Sequence, residues 1–370
     1  MKRAKILVTP SAYKGSLSSN EVAQAIKAGL QKTNRQMDIK CLPLADGGDG
    51  TIDSIMTCLG GELNSVAVLG PLDNRINASW LVLDNWVLIE LANCCGLATV
   101  INKPLQPLLA HTYGLGQVVS ACLSIPYKKI LIGLGGSAST DGGTGALAAL
   151  GVKFLDANSK SLPLGGRFLS HLQSIDLSGL DKRLEQKEIE ILTDVRSPLL
   201  GKDGAAAIFA PQKGANVQEV GLLENGLTRL AEVIVSITKS DLKDLPGCGA
   251  AGGTAFGLAS LLKAKISPGF KKIAELIGLQ EEIKNSDLVI TAEGKLDSQS
   301  ITGKATGELA YLCKNFSKPL IVFPALIKDG IRWEEFGICG VYPTAKSNKF
   351  SSCADITETV RERMVDCNHF

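Results

Sequence analysis

The sequence predicts an α/β protein in which a discontinuous parallel-sheet domain is interrupted by a second, inserted α/β domain of mixed sheet. Strands and helices alternate at both ends of the chain, which is typical of a parallel sheet. Between the ends lie short strands at close spacing, which favour a mixed or antiparallel sheet. The length of 370 residues allows about two domains at ~100–200 residues each.

The N-terminal segment passes twice from strand to helix. The apolar run 5–10 (KILVTP) is typical of a strand that is covered on both faces. Ser18 or Ser19 is placed to cap the helical pattern that follows, NEVAQAIKAGLQK. A second strand at 38–44 (DIKCLPL) and a short helix at 51–59 complete the alternation.

The C-terminal segment repeats this alternation, with strand 287–294 (DLVITAEG), helix 303–315 and strand 318–325 (KPLIVFPA). Both chain ends therefore belong to one Rossmann-like domain, and the segment between them is an insertion. The domain assignments are residues 1–62 and 283–370 for the discontinuous domain and residues 63–282 for the inserted domain. We expect the active site in the cleft between the two domains.

Composition excludes several classes of function. Lys and Arg number 39 and Asp and Glu 37, so the net charge of +2 gives no field for binding nucleic acid or an acidic membrane. No run approaches the ~18 apolar residues of a membrane helix. The ten cysteines include no CxxC pair, which favours a reducing cytoplasm. We expect small-molecule partners, and a homodimer is possible.

Polar residues follow several predicted strands at their carboxyl ends, where parallel sheets bind ligands. Lys14 follows the first strand and Asp46 the second, while Asp194 follows the apolar run EIEIL and Glu293 lies in TAEGKLD. The run GLGGSASTDGGTG follows KKILI, at residues 133–145. Each stretch alone could be a plain turn, because Gly and Asp are common turn residues. Together they suit a polyanionic ligand.

The residue types at these strand ends match the needs of phosphate chemistry. A glycine-rich backbone at a helix start can present N–H groups to phosphate oxygens. Carboxylates hold Mg²⁺ through oxygen, usually one or two of them together with water and phosphates, and lysine neutralises a transferring phosphoryl group. Asp194 could instead cap the turn TDVRSP. In ADGGDG, Asp46 is the stronger functional candidate than Asp49.

Other nucleotide-binding fingerprints are missing or weak. The sequence has no GxxxxGK[ST] loop and no protein-kinase HRD and DFG pair. GLGGSA, residues 133–138, matches the dinucleotide pattern GxGxxA, but no acidic strand end follows ~20 residues later. A nicotinamide-dependent oxidoreductase acting on a hydroxy acid therefore remains the alternative enzyme.

Ten segments, in order, resemble the type-1 bacterial glycerate kinase family over almost the whole chain. They are YKGSLS (13–18), LADGGDGT (44–51), LGPLD (69–73), PLLAHTYGLG (107–116), IGLGGSASTDGGTG (132–145), ALGVKFLD (149–156), DVRSPLLG (194–201), FAPQKGA (209–215), GAAGGTAFGL (249–258) and ITAEGKLDSQS with GK (290–304). The resemblance implies phosphorylation of D-glycerate by ATP with Mg²⁺, mostly to 2-phosphoglycerate, in the cytoplasm.

With a kinase as the expected activity, we assign roles to the polar residues at the predicted strand ends and in the glycine-rich run. The ATP-binding set is Gly135, Gly136, Ser137, Asp141, Gly142, Gly143, Glu293 and Lys304. The catalytic set is Asp194, Lys14 and Asp297, of which Asp194 and Asp297 also hold the metal, and the substrate-binding set is Asp46 and Lys213.

Some positions depart from the family pattern. Ser11 stands where the family has Asp, Tyr13 where it has Phe, and Ser197 where it has Asn. Cys94 and Cys95 replace an Ala-Ser pair. Loss of the carboxylate at Ser11 bears on the identity of the acid substrate. It also leaves open a kinase-fold binding protein with weakened catalysis.

Overall fold

A computed structural model describes residues 3–33, 35–100, 104–301, 305–328, 332–346 and 351–365. The described strands are β1 (Ala4–Val8), β2 (Met37–Cys41), β3 (Glu62–Leu69), β4 (Arg75–Leu83), β5 (Trp86–Glu90), β6 (Lys129–Gly133), β7 (Lys153–Leu155), β8 (Ser174–Asp176), β9 (Glu188–Leu192), β10 (Lys265–Ser267), β11 (Leu288–Leu296), β12 (Leu320–Ile327) and β13 (Ile338–Val341).

The described α-helices follow the same chain order. They are α1 (Ser19–Gln31), α2 (Thr51–Leu59), α3 (Leu91–Cys95), α4 (Tyr113–Cys122), α5 (Thr144–Ala149), α6 (Ala205–Phe209), α7 (Val217–Thr238), α8 (Ala250–Leu262), α9 (Gly269–Leu276), α10 (Leu279–Asn285), α11 (Ser298–Ile301), α12 (Ala305–Asn315) and α13 (Cys353–Val365).

The chain divides into two compact units. Unit 1 contains Met1–Asp46, Asp53–Gly60 and Phe270–Phe370, and unit 2 contains Gly47–Ile52 and Gly61–Gly269. The short segment Gly47–Ile52 thus belongs to unit 2, although the strand before it and most of the helix after it belong to unit 1. The domain boundaries proposed from the sequence, at 62/63 and 282/283, stay a prediction.

The sheet of unit 1 is parallel and takes strands from both chain ends. Its strand order is β13-β12-β11-β1-β2, and every neighbouring pair in that order runs parallel. Strand β1 lies between β2 and β11, with Ile6 opposite Leu288. This arrangement confirms the predicted discontinuous parallel sheet, and it places the loops after β1, β2 and β11 at one edge.

Helix α1 covers this sheet and shows why the sequence folds locally as it does. Ser18 and Glu21 form a reciprocal capping box at its start. Val22, Ile26 and Leu30 recur at helical spacing and are buried. The close neighbour of α1 is α13, where a Cβ on Gly29 would lie 2.7 Å from the Thr357 carbonyl oxygen. Gly29 therefore allows the two helices to pack closely.

The sheet of unit 2 is mixed, as the sequence predicts. Its strand order is β10-β9-β6-β5-β4-β3. The pairs from β10 to β5 are parallel, and β5, β4 and β3 pair antiparallel. The central strands β6 and β9 are almost wholly buried. The apolar run of β6 fits this position, whereas β9 has the sequence EIEIL and also buries Glu190. Both lead into polar loops that contain predicted site residues.

Candidate functional site

Unit 1 brings four of the predicted residues to the carboxyl edge of its sheet. Lys14 follows β1, Asp46 follows β2, and Glu293 and Asp297 lie at the end of β11 and directly after it. The Lys14 Nζ is 4.0 Å from the Asp46 Oδ2, and both side chains are accessible to solvent. A Cβ on Gly294 would lie 3.5 Å from the Lys14 backbone nitrogen. We call Lys14, Asp46, Glu293 and Asp297 the strand-end cluster.

A buried hydroxyl links the two acidic residues of β11 and its following turn. Ser300 donates from its Oγ to the Glu293 Oε2 at 2.7 Å, and its backbone N–H donates to the Asp297 Oδ1 at 3.2 Å. The Asp297 backbone N–H in turn donates to the Ser300 Oγ at 3.2 Å. Ser300 therefore fixes the orientation of both carboxylates. The sequence interpretation did not single out Ser300, although it lies in the matched segment ITAEGKLDSQS.

Lysine side chains provide the positive charge near these carboxylates. The Lys295 Nζ lies 3.7 Å from the Asp297 Oδ2, and its side chain is half exposed. Lys304, which the sequence assigns to ATP, lies outside the described residues. The strand-end cluster therefore combines oxygen ligands with cations, which is the chemistry that a metal-bound phosphate ester requires.

In unit 2, the loop after β6 packs backbone to backbone against the ADGGDG segment. The Gly135 N–H donates to the Gly47 carbonyl at 3.2 Å. A Cβ on Gly133 would lie 2.4 Å from that carbonyl oxygen, and a Cβ on Gly135 would lie 2.3 Å from the Gly48 Cα. Side chains at Gly133 and Gly135 would therefore collide with Gly47 and Gly48. This close packing explains the two glycines of the GxGxxA match, so a bound dinucleotide is not needed to explain them.

We call residues 134–145, the loop after β6 together with the first two residues of α5, the glycine loop. It runs into α5 through Gly142 and Gly143, whose φ values of 63° and 78° favour glycine. A Cβ on Gly142 would collide with the Leu230 Cδ2 at 2.3 Å. The Gly142 N–H donates to the Gly252 carbonyl at 3.0 Å, so a second glycine-rich segment supports the loop from α8.

Asp141 is the organising residue of the glycine loop. It is fully buried, and its Oδ2 accepts from the Thr112 N–H and Oγ1, both at 2.8 Å. The same oxygen accepts from the Gly145 N–H at 3.1 Å, and the Oδ1 accepts from the Gly143 N–H at 3.2 Å. Because both oxygens bind protein donors, Asp141 is placed to shape the loop.

Three hydroxyl side chains lie in the middle of the glycine loop. Ser137 and Ser139 are buried, and their Oγ atoms are 3.1 Å apart. Ser137 also pairs with Gly96 in an isolated bridge, which ties the loop to the Cys94-Cys95-Gly96 segment. The Thr140 Oγ1 is buried and has no hydrogen-bond partner among the described residues. The loop therefore contains polar atoms beyond those that its own contacts satisfy.

Lys213 supports the glycine loop from the FAPQKGA turn. Its side chain is 3% exposed, and its Nζ donates to the Ser139 carbonyl. Burial lowers the pKa of the Lys213 amine to about 7, and the Asp141 carboxylate opposes part of this shift. The predicted substrate-binding lysine thus lies behind the loop, in contact with its backbone.

Asp194 follows β9 on the same side of the unit 2 sheet as the glycine loop. The Leu134 N–H donates to the Leu192 carbonyl at 3.2 Å, two residues before Asp194. The Thr193 Oγ1 accepts from the Val195 N–H at 3.2 Å, so Thr193 closes the turn around Asp194. The Asp194 side chain is partly exposed, and it makes interactions of its own. Sequence order and sheet topology together explain its proximity to the loop.

No group of three or more His, Cys, Asp or Glu side chains within the described ranges is arranged to hold a metal ion. An all-protein cage of the kind that binds Ca²⁺ or structural Zn²⁺ is therefore not formed by those residues. Mg²⁺ needs only one or two carboxylates when phosphates and water complete its shell. Glu293, Asp297 and Asp194 are chemically suited to that smaller demand.

Comparison with known proteins identifies the family. The model of the glycerate kinase family matches residues 6–365. Glycerate 2-kinase of Escherichia coli K12 is 40% identical over 329 residues, covering 88% of this chain and 86% of that protein. A glycerate kinase of Haemophilus influenzae is 36% identical over 342 residues, covering 92% of this chain and 90% of that protein.

A solved structure agrees with these relatives. A crystal structure from Salmonella typhimurium LT2, described provisionally as glycerate kinase 2, superposes with a TM-score of 0.85 at 35% identity. The alignment covers 98% of this chain and 97% of that one. Among the described helices, none has the length and apolar character that crossing a membrane requires. The chain belongs to the glycerate kinase family and is an enzyme of the phosphotransferase class.

Proposed function

We propose that the enzyme transfers the γ-phosphoryl group of ATP to a hydroxyl of D-glycerate and forms 2-phosphoglycerate. The observation that carries this proposal is the family match over residues 6–365, together with the 40% identity to a protein named glycerate 2-kinase. The glycine loop and the strand-end cluster supply the two kinds of group that phosphoryl transfer uses, which are phosphate-binding amides and fixed charges.

In this proposal, the glycine loop binds the phosphates of ATP. Gly135, Gly136 and Ser137 offer backbone approach and a hydroxyl, and Gly142 and Gly143 lead into α5. Asp141 and Lys213 contribute by holding the loop in shape, because their polar atoms contact the loop itself. A loop that is shaped before the ligand binds loses less conformational entropy on binding.

Asp297 and Asp194 are each chemically suited to hold Mg²⁺ and would do so in this proposal. Glu293 is kept in place by Ser300. When it is bound, Mg²⁺ neutralises the charge of the ATP phosphates. The oxygen–phosphorus bond to glycerate forms as the bond between the γ-phosphorus and ADP breaks. Asp194 or Asp297 accepts the proton that the attacking hydroxyl releases.

Lys14 and Asp46 are the proposed ligands of D-glycerate. Glycerate carries one carboxylate and two hydroxyls, so it needs a cation and a hydrogen-bond acceptor. Lys14 supplies the cation on an exposed side chain, and Asp46 lies 4.0 Å from it.

The roles of Lys304, the location of the site between the units, the cytoplasmic location and the homodimer stay predictions.

The alternatives that the sequence left open gain no support. Gly133 and Gly135 are explained by their packing against Gly47 and Gly48, which removes the main reason to expect nicotinamide binding. Ser11 in place of Asp is the feature that favoured a weakened binding protein. The remaining strand-end cluster retains three carboxylates and a lysine, which favours a working kinase.

ADP release with a panel of acids tests the proposal. The purified chain is incubated with Mg-ATP and, separately, D-glycerate, L-glycerate, D-lactate or glycolate. We expect ADP to form fastest with D-glycerate and to stop when EDTA removes Mg²⁺. A rate of ADP formation that does not depend on the acid would identify an ATPase instead. Oxidation of NADH by the keto acid hydroxypyruvate, without ADP formation, would identify the oxidoreductase.

A further inference from the structure

Tyr13 places a phenol in the interior of unit 1, directly before Lys14. The side chain is 1% exposed. Its hydroxyl donates to the Phe323 carbonyl at 2.7 Å and lies 3.2 Å from the Thr344 Oγ1. The Thr344 Oγ1 is in turn 2.7 Å from the Ser351 Oγ. One buried hydroxyl therefore joins three separate segments of unit 1.

One of these hydrogen bonds has a direction that its partner fixes. A carbonyl oxygen can only accept, so the single phenolic proton of Tyr13 belongs to the short bond with Phe323. The Thr344 Oγ1 lies within hydrogen-bond distance of the Tyr13 hydroxyl, the Ser351 Oγ and the Pro324 carbonyl. The Tyr13 hydroxyl is therefore part of a buried polar network, and the members of such networks strengthen each other.

The backbone of Tyr13 closes the turn that carries Lys14. The Tyr13 N–H donates to the Leu17 carbonyl at 2.9 Å, and the Tyr13 carbonyl accepts from the N–H groups of Ser16 and Leu17. The Ser16 Oγ also donates to this carbonyl, at 3.1 Å. Lys14 thus projects from a closed five-residue turn whose first residue is fixed in the protein interior.

We propose that Tyr13 is a positioning residue whose hydroxyl holds the 13–17 turn so that Lys14 meets the anionic hydroxy-acid substrate. The inference rests on the proposed function, in which Lys14 binds that substrate. The hydroxyl joins the first residue of the turn to Phe323 and Thr344, so its removal would loosen the turn without changing Lys14 itself.

A double-mutant cycle tests whether Tyr13 acts through Lys14. Tyr13→Phe is expected to fold, because it removes one oxygen and keeps the ring that fills the buried position. We expect the KM for D-glycerate to rise roughly tenfold, the scale of one lost buried hydrogen bond, with kcat within twofold. In a Lys14→Ala background the same change should alter KM by less than twofold.

Two outcomes of the cycle overturn the proposal. One is an equal effect of Tyr13→Phe in both backgrounds, which would mean that the hydroxyl acts independently of Lys14. The other is no effect in the native background. Tyr127→Phe is the matched control, because Tyr127 is also buried and its hydroxyl has no partner among the described residues. It should leave the KM unchanged.

Hydrogen exchange tests the anchor without any assay of activity. In Tyr13→Phe, the amides of residues 13–17 should exchange at least about tenfold faster than in the native chain, and those of β6 should not change. Unchanged exchange at 13–17 overturns the anchor whether or not the chain phosphorylates glycerate. Faster exchange in a chain that releases no ADP would retain the anchor and reject the proposed function.

Discussion

Asp194 is the residue on which the proposed chemistry depends most. It follows a buried strand at the edge of the unit 2 sheet where the glycine loop lies. In the proposed reaction this carboxylate orients the attacking hydroxyl or would hold the metal, and both roles act on the transition state. A carboxylate that only capped the TDVRSP turn would act on stability instead.

We therefore expect Asp194→Ala to lower kcat by at least ~100-fold, the scale of a positioned catalytic group, while thermal unfolding stays close to that of the native chain. Asp203→Ala, which changes an exposed Asp of the same unit, is the matched control and should retain full turnover. Turnover of Asp194→Ala within a factor of two of the native value would make Asp194 a structural residue.

Burial of the Lys213 amine makes the stability of the folded chain depend on pH. Its pKa of about 7 in the folded chain is below the usual 10.5. Between these two pH values the unfolded chain binds a proton that the folded chain does not, so stability rises with pH. This contribution is complete above the unfolded pKa and is lost as the pH falls to about 7.

The matched comparison is with Lys213→Met, which removes the titrating amine. The free energy of unfolding of the native chain, relative to that of the variant, should rise between pH 7.5 and 9.0 by up to ~1.4 kcal/mol per pH unit. Urea titrations at the two pH values measure the difference. A difference that stays constant with pH would show that Lys213 keeps its proton on folding.

At the scale of elements, the glycine loop depends on close contact with ADGGDG. Gly135→Ala would place a Cβ 2.3 Å from the Gly48 Cα. Because a backbone neighbour cannot move aside like a flexible side chain, we expect loss of stability by roughly 1–3 kcal/mol, the usual scale of overpacking, and loss of ATP affinity. Chemical denaturation and calorimetric titration with ATP measure the two effects.

Gly221→Ala is the contrasting substitution. Gly221 lies within α7, and a Cβ there would meet no atom within 4 Å. The change should stabilise the chain by up to ~1 kcal/mol, because alanine favours a helix over glycine. If both substitutions were equally harmless, the backbone contact between the two glycine-rich motifs would not be tight in solution.

The elements that the sequence predicted correctly share a strong local pattern. Strands β1 and β6 contain continuous apolar runs, and α1 has both a cap and a helical repeat of apolar residues. The antiparallel pair of β7 and β8 has three residues in each strand, which is too short for a periodic signal. Its formation depends on tertiary packing.

Helix α13 was not predicted, although its signals are present. Ser352 and Asp355 cap its start through reciprocal hydrogen bonds of 2.9 and 3.2 Å. Ile356, Val360 and Met364 recur every four residues and are fully buried. The many charged residues between them make this apolar stripe hard to recognise in the sequence. The structure explains the stripe, because α13 packs against α1.

The sequence selects the candidate site residues by chemical type, but it does not assign their roles. Strand order and residue chemistry were enough to select Lys14, Asp46, Glu293 and Asp297 as neighbours at one sheet edge. The sequence could not distinguish a ligand-facing group from a supporting one. Asp141 and Lys213 carry charges suited to a phosphate site, yet their polar atoms contact the glycine loop. Only three-dimensional packing separates these two kinds of residue.

At the scale of the whole molecule, the chain contains two compact units with separate cores. The core of unit 1 includes Tyr13, Ile26 and Phe323, and that of unit 2 includes Leu115, Leu227 and Phe256. The candidate residues follow the carboxyl ends of strands in both units, where parallel strands place their ligands. Each unit therefore presents candidate residues at the carboxyl ends of its own strands.

The central claim is that this molecule joins a phosphoryl group to D-glycerate. The most direct measurement is the phosphorus NMR spectrum of D-glycerate incubated with Mg-ATP and the native chain. We predict a new phosphate monoester signal, split into a doublet by the single proton at C2, that grows as the γ-phosphate signal of ATP declines. A triplet would place the phosphate on C3. A spectrum with no new monoester would contradict the account.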